Sequence, residues 1–381
     1  MTGRMTLMGS GETAPGMVRV HRALLEALGE APRPVFLDTP AGFEMGVEGI
    51  AARFVEYFHT SLDLDLRVAH YRHRDDPPRA RAEALEALTQ ANYIVAGPGS
   101  PTYAVEQLRS TPIIEALLRR WHAGAQIVFA SAATISLGRY ALPVYEIYKV
   151  GSPLHWAEGL DLLRPYGYEL AIIPHWDNAE GGTHDTRACF MGMERFGRLR
   201  ALLPPSATVL GIDEHTAVTL DLDRGVAEVR GKGGVTILRG PEQTGHPNGE
   251  TFSLEGLATA TAAGAERAGR PLPAETEPSV ALIGQAATLV GAGDLSAGLR
   301  IAADEAPGDL AALLHQAAAA AERAEPSDDV LGPLLQILIE LRNGLRERGE
   351  WALADGLRDR LVGIGIELRD TPEGTVWVRK G

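Results

Sequence analysis

Apolar positions fall into two alternating rhythms over the first part of the chain. Short runs rich in branched side chains, at 5–8, 34–38, 64–70, 93–96, 127–130 and 170–173, read as buried strands. Between them, the segments at 17–28, 46–59, 79–90, 103–108 and 113–122 carry apolar residues at helical spacing. This strand–helix alternation predicts an α/β domain with a mainly parallel sheet flanked by helices. After Ala217 the pattern shifts to AVTLDL, VAEVRG and GVTILRG, joined by glycine-containing turns, which predict an antiparallel edge.

The α/β pattern spans residues 1–240, and the stretch 241–251, opening with PEQTGHPNGE, concentrates Pro, Gly and polar residues as a linker does. Residues 252–327 are rich in Ala and Gly, with helix suggested by propensity alone. The last part, 328–381, contains two leucine-bearing amphipathic stretches and a hairpin turned at 372–374.

The net charge of −14 opposes wholesale binding to phosphate backbones or anionic membranes. A single cysteine, Cys189, excludes an intrachain disulfide, and its default reading is a buried thiol. The opening MTGRMTLMGSGETAPG lacks an apolar export core, and no apolar run approaches the roughly 20 residues that span a bilayer. The expectation is a cytoplasmic protein. His155, His184 and His215 with Asp177, Asp185 and Asp213 show no metal-ligand spacing, so neither metal nor cofactor is expected. Gly9, Gly11 and Glu12 lack the rest of a phosphate loop and read as a turn beside the active site.

The chemistry centres on QIVFASAATISLG, where an apolar strand runs straight into Ser131 and small residues permit an immediate turn into a helix. Such an elbow lifts the hydroxyl above the sheet and aims the Ala132 N–H at a developing oxyanion. A serine hydroxyl needs a base, and His175, in the loop after another buried strand, is best placed to supply it. Gly99 in YIVAGPGSPTY is the second oxyanion donor, since Pro98 has no N–H. Glu146 and Asp177 are the candidate acids to orient the histidine, while Asp213 and Glu214 read as structural.

In order and spacing, AGPGS, FASAAT, IPHWDN and GIDEHTA resemble the motifs of peptidase family S51, the aspartyl dipeptidase and cyanophycinase family of the class I glutamine amidotransferase-like superfamily. The resemblance covers about residues 1–240 and implies that fold. It implies Ser131 as nucleophile, His175 as base, Glu146 as orienting acid, and Gly99 with Ala132 as oxyanion hole. Arg187 matches an arginine that grips an aspartyl carboxylate, and Ser100 holds a substrate-binding place. The implied activity is acyl-enzyme hydrolysis of an amide bond in a small, Asp-containing peptide or isopeptide. Phe129 and Ala133 stand where the family has glycines, Ser100 where it has Asn, and Pro98 where it has Gly. The second reading is therefore a catalytically inactive binding or regulatory module on the same scaffold.

In the tail, ALADGLRDRL and DTPEGTVW, with Trp351, Asp355, Arg358, Asp370, Gly374 and Trp377, resemble the C-terminal end of cysteinyl-tRNA synthetase. That resemblance implies a docking element for tRNA or a protein of the translation apparatus. Residues 339–381 hold eight basic and eight acidic side chains, so any tRNA contact is expected to be weak.

Overall fold

The computed structural model describes residues 3–258, Ile339, Arg358, 366–371 and 374–379. The chain divides into two units, residues 1–76 with 87–268, and residues 77–86 with 269–381. In chain order the elements are β1 (Met5–Met8), α1 (Val18–Glu26), β2 (Pro34–Leu37), α2 (Val47–Tyr57), β3 (Arg67–Ala69), α3 (Pro78–Gln90) and β4 (Tyr93–Ala96). There follow α4 (Pro101–Leu108), α5 (Pro112–His122), β5 (Gln126–Ala130), α6 (Ala132–Leu137), β6 (Tyr140–Ala141), β7 (Ala157–Glu158), β8 (Leu170–Ile173) and α7 (Met193–Arg200). The first unit closes with β9 (Thr208–Ile212), β10 (Thr216–Asp221), β11 (Val226–Gly231), β12 (Gly234–Arg239), β13 (Glu242–Pro247) and β14 (Thr251–Ser253).

The first sheet has eight strands in the order β14-β11-β10-β1-β5-β4-β2-β3. Its β1, β5, β4, β2 and β3 run parallel, and β10, β11 and β14 extend it antiparallel. The registers Met8↔Ala130 and Ala96↔Phe129 leave the carboxyl ends of β1, β4 and β5 nearly level. Loops leaving those three strands therefore open onto one edge, where ligands bind in sheets of this type. Continuous apolar runs rather than alternating ones form these strands because each is buried on both faces.

Three expectations are corrected. The run at 170–173 is not part of the parallel sheet: β8 pairs with β9 in a second sheet of order β13-β12-β9-β8. The antiparallel strands divide likewise, β10 and β11 joining the first sheet and β12 and β13 the second. A two-residue connection between β11 and β12 crosses between sheets, which pattern alone cannot reveal. Residues 241–251 are not a linker, since β13 pairs with β12 along its whole length and β14 returns to β11. Exposed Gly and Pro residues are tolerated there because β13 is an edge strand.

One core cluster packs Val128, Ala130, Phe36 and Val95 of the first sheet against Leu24, Phe54 and Phe58. A second packs Ile135 of α6 with Ala171, Ile173 and Val209 of the second sheet, together with Phe196 and Cys189. Cys189 is buried as expected, and desolvation pushes its thiol up to about 12.

In the second unit, β15 (Ile366–Thr371) and β16 (Gly374–Arg379) pair antiparallel with Leu368 opposite Trp377, the hairpin that the sequence predicts. Apart from Ile339 and Arg358, the remaining tail and the Ala/Gly-rich region from 259 onward lie outside the described residues. No helix among the described residues is long and apolar enough to cross a membrane.

Phe36 is 1% exposed and stacks on Phe54 with ring centroids 4.0 Å apart. Phe36→Ala should destabilise the first unit by about 3–5 kcal/mol through lost burial and the cavity left behind. Urea denaturation followed by tryptophan fluorescence checks this as a lowered midpoint.

Candidate active site

Ser131 is the one residue between β5 and α6, and its backbone lies at φ 51°, ψ −115°, a conformation unusual for a side chain with Cβ. Three bonds hold the turn against that preference. The Ser131 N–H donates to the Met8 carbonyl at 3.1 Å, the Ala133 N–H to Gly97 at 3.3 Å, and the Thr134 hydroxyl to Phe129 at 2.7 Å. The elbow is thus tied to β1 on one side and to the glycine loop after β4 on the other. Phe129 and Ala133 are each 1% exposed and packed in place, so neither Cβ prevents the turn.

The Ser131 hydroxyl lies 2.9 Å from His175 Nε2. His175 follows β8 in a turn of its own at φ 51°, fixed by Asn178 and Cys189 N–H groups that donate to its carbonyl. Its Nδ1 lies 2.9 Å from Glu214 Oε1, and Asn178 Nδ2 donates to the same oxygen at 3.0 Å. The His175 hydrogen bond draws the Glu214 carboxyl down to about 2, helped by Asn178 and by the charges of His175 and His215, with burial opposing. An ionised carboxylate only accepts, so Nδ1 carries the proton and Nε2 is left to accept from Ser131.

Glu146, expected to orient the histidine, is not on it. Its Oε1 accepts from the Thr102 hydroxyl at 2.6 Å instead. Asp177 supports the acid rather than replacing it, because its Oδ1 accepts the Glu214 N–H at 2.7 Å. Sequence reasoning missed Glu214 although a signal existed. Strands β8 and β9 are parallel neighbours with Ile173 opposite Gly211, and His175 and Glu214 each stand two residues beyond their strand's end.

Gly99 lies in the loop after β4 at φ 142°, with its α-carbon so close to Pro40 that a Cβ would overlap the Pro40 carbonyl. That loop adjoins the elbow through the Ala133–Gly97 bond. Ala132 opens α6, where a first-turn N–H has no intrahelical acceptor. The two substrate-binding candidates are locally occupied. The Ser100 side chain caps α4 by accepting the Tyr103 N–H at 3.3 Å, and also bonds Thr102. Arg187 forms a two-pronged pair with Asp185 at 2.9 Å on each prong, on an exposed turn. Among the described residues, no group of three or more His, Cys, Asp or Glu side chains could hold a metal ion.

No family model matches the chain. Its fold is similar to a peptidase from an acI-B1 actinobacterium, with a TM-score of 0.54 and 22% identity over 66% of this chain and 97% of that one. A putative peptidase E protein from Listeria monocytogenes EGD-e gives a TM-score of 0.39 at 14% identity, over 65% of this chain and 99% of that one. Short segments are similar to cysteine–tRNA ligases. That of Moorella thermoacetica is 38% identical over 86 residues, 22% of this chain and 17% of the ligase. That of Tolumonas auensis is 47% identical over 66 residues, 17% of this chain and 13% of the ligase. The chain thus spans less than a fifth of these ligases, while about two thirds of it shares the fold of the actinobacterial peptidase.

Proposed function

We propose that residues 1–258 form a serine-type peptidase or amidohydrolase acting on a small peptide or isopeptide. The observation that carries this reading is the continuous chain Ser131 Oγ, His175 Nε2, His175 Nδ1, Glu214 Oε1, with 2.9 Å at each of its two contacts. In this mechanism the Ser131 oxygen attacks the amide carbonyl while His175 Nε2 takes its proton. The resulting oxyanion is held by the N–H groups of Ala132 and Gly99. His175 then passes the proton to the leaving amine, giving an acyl-enzyme. Water, deprotonated by the same histidine, attacks the ester and releases the acid and free Ser131. Glu214, anchored by Asn178 and the Asp177-bound backbone, keeps the imidazole in the productive tautomer. An acidic substrate side chain would reach Arg187 only by displacing or sharing Asp185, so preference for Asp rests on the S51 resemblance alone.

Hydrolysis of aspartyl dipeptides and β-aspartyl-arginine by the wild type, and labelling of Ser131 by a fluorophosphonate, should both vanish in Ser131→Ala. Equal hydrolysis in both proteins would remove Ser131 as nucleophile. Absence of labelling in the wild type would favour the inactive binding module.

Glu214 also makes a signed pH prediction. Its folded-state pKa, about 2, lies below the ordinary 4.5. The stabilisation it contributes is therefore complete above about 4.5 and is lost as pH falls from there through about 2. Urea midpoints measured from pH 6 down to 3 should fall more steeply for the wild type than for Glu214→Gln. Near neutral pH, Glu214→Gln should lower kcat by about 10²- to 10⁴-fold, as expected when the orienting acid no longer selects the tautomer.

A second reading concerns the tail, favoured by the Leu368↔Trp377 hairpin and the short cysteine–tRNA ligase likeness. The tail then serves as a docking element, for tRNA or for a translation protein. Filter binding of tRNA for cysteine at low salt should show greater retention by the full chain than by a chain ending near residue 325. Identical retention would leave the protein partner as the tail's reading.

A further inference from the structure

The turn after β1 packs against the turn that carries Glu214. The Gly9 N–H donates to Thr216 at 2.9 Å, and the His215 N–H donates to Ser10 Oγ at 3.2 Å. Gly11, at φ 69°, lies so close to the His215 ring that any Cβ would overlap it. The same turn continues from Met8, whose carbonyl accepts the Ser131 N–H. Glu12 therefore sits where the strand beneath the nucleophile and the loop of the acid meet.

Glu12 is 8% exposed, and its main chain is pinned by His21 Nε2, which donates to the Glu12 carbonyl at 2.7 Å. His21 in turn meets the Tyr93 hydroxyl at 2.6 Å inside the core, so the residue's place is fixed from below. Among the described residues, the Glu12 carboxyl enters no ion pair; its own backbone N–H is its hydrogen-bond donor. Burial raises its pKa, opposed by that N–H and then by the charges of His175, Arg53 and His215. A buried carboxyl that no close ion pair holds is costly to ionise, and a cationic ligand group offsets that cost. Its place on the turn between Met8, which holds the Ser131 N–H, and the His215 ring packed on Gly11 sets it on the Ser131 side of the sheet rather than on a distant face.

We propose that Glu12 is a specificity-determining residue whose carboxylate receives the free ammonium of the substrate's acyl part. This inference rests on the Ser131 site being the substrate site. The amine of an amino-terminal residue stands one carbon from the carbonyl that Ser131 attacks, and Glu12 lies on the turn leaving β1, whose Met8 carbonyl holds the Ser131 N–H, so its carboxylate is the group proposed to meet that amine. The contact is a charge-assisted hydrogen bond made on binding, and it excludes substrates whose amino group is acylated.

The test measures binding separately from turnover. In a Ser131→Ala background, aspartyl-leucine and N-acetyl-aspartyl-leucine are titrated by ligand-observed NMR, with and without Glu12→Gln. With Glu12 present the free-amine peptide should bind about 10- to 100-fold tighter, the range one charge-assisted hydrogen bond supplies, and Glu12→Gln should abolish that preference. Glu12→Asp, which keeps the charge with shorter reach, should retain part of it and guards against misreading a folding defect. An equal preference with and without Glu12→Gln, no preference in either, or no binding of either peptide would overturn the proposal. Fluorophosphonate labelling of the wild type reports on Ser131 independently. Loss of amine preference without any labelling would keep Glu12 as a binding residue and discard the peptidase reading.

Discussion

The site depends on the left-handed backbone of Ser131. A residue with a Cβ held in a sparsely populated conformation costs on the order of 1–3 kcal/mol and persists only where its surroundings over-determine it. Here β5 is buried along all five of its residues between β1 and β4, and the residue after it is bonded through its N–H to Met8. The Thr134 hydroxyl then closes the turn by reaching back to Phe129 as well as to Met8. Relaxing Ser131 would break these bonds and turn the hydroxyl away from His175, so a rigid central sheet is what keeps the hydroxyl in place.

The other two members of the chain come from a different sheet by a parallel argument. Because β8 and β9 are parallel and adjacent, their following turns emerge side by side, and equal two-residue offsets bring His175 and Glu214 together. Trp176 reinforces this, its N–H donating to Ile212 at 3.0 Å just before the acid's turn. The carboxylate stays ionised because its donors, His175 and Asn178, compensate for partial burial. Histidine and acid thus form one preassembled unit, and α6 brings the serine to it.

What the sequence made legible follows from local signals. Buried parallel strands announce themselves as apolar runs, so β1, β2, β4 and β5 fall where periodicity places them, and the small residues after β5 mark the elbow. Sheet membership is not local: nothing in LAII or GVTILR distinguishes a strand of the first sheet from one of the second. The same limit hid Glu214. Glu146 follows the serine closely in sequence, but it lies on a separate helical turn and bonds Thr102, whereas the acid that meets His175 comes from 39 residues beyond it. Hairpin chemistry in the tail was readable because the D-T-P-E-G-T turn fixes its own register.

Arg187 and Glu12 differ in how far their charges are already balanced. Arg187 is exposed and already neutralised by Asp185, whose carboxyl also accepts the Met193 N–H, so an acidic ligand must compete with a preformed pair. Glu12, in contrast, is buried without an ion-pair partner among the described residues, and Glu214 is committed to His175. A carboxylate that is satisfied adds little field at the reacting centre, while one that lacks a counter-ion attracts a cation strongly in a poorly solvated place. If Glu12 receives the substrate's amine as proposed, that contact is made without breaking an ion pair, whereas a contribution from an acidic side chain at Arg187 requires Asp185 to give way.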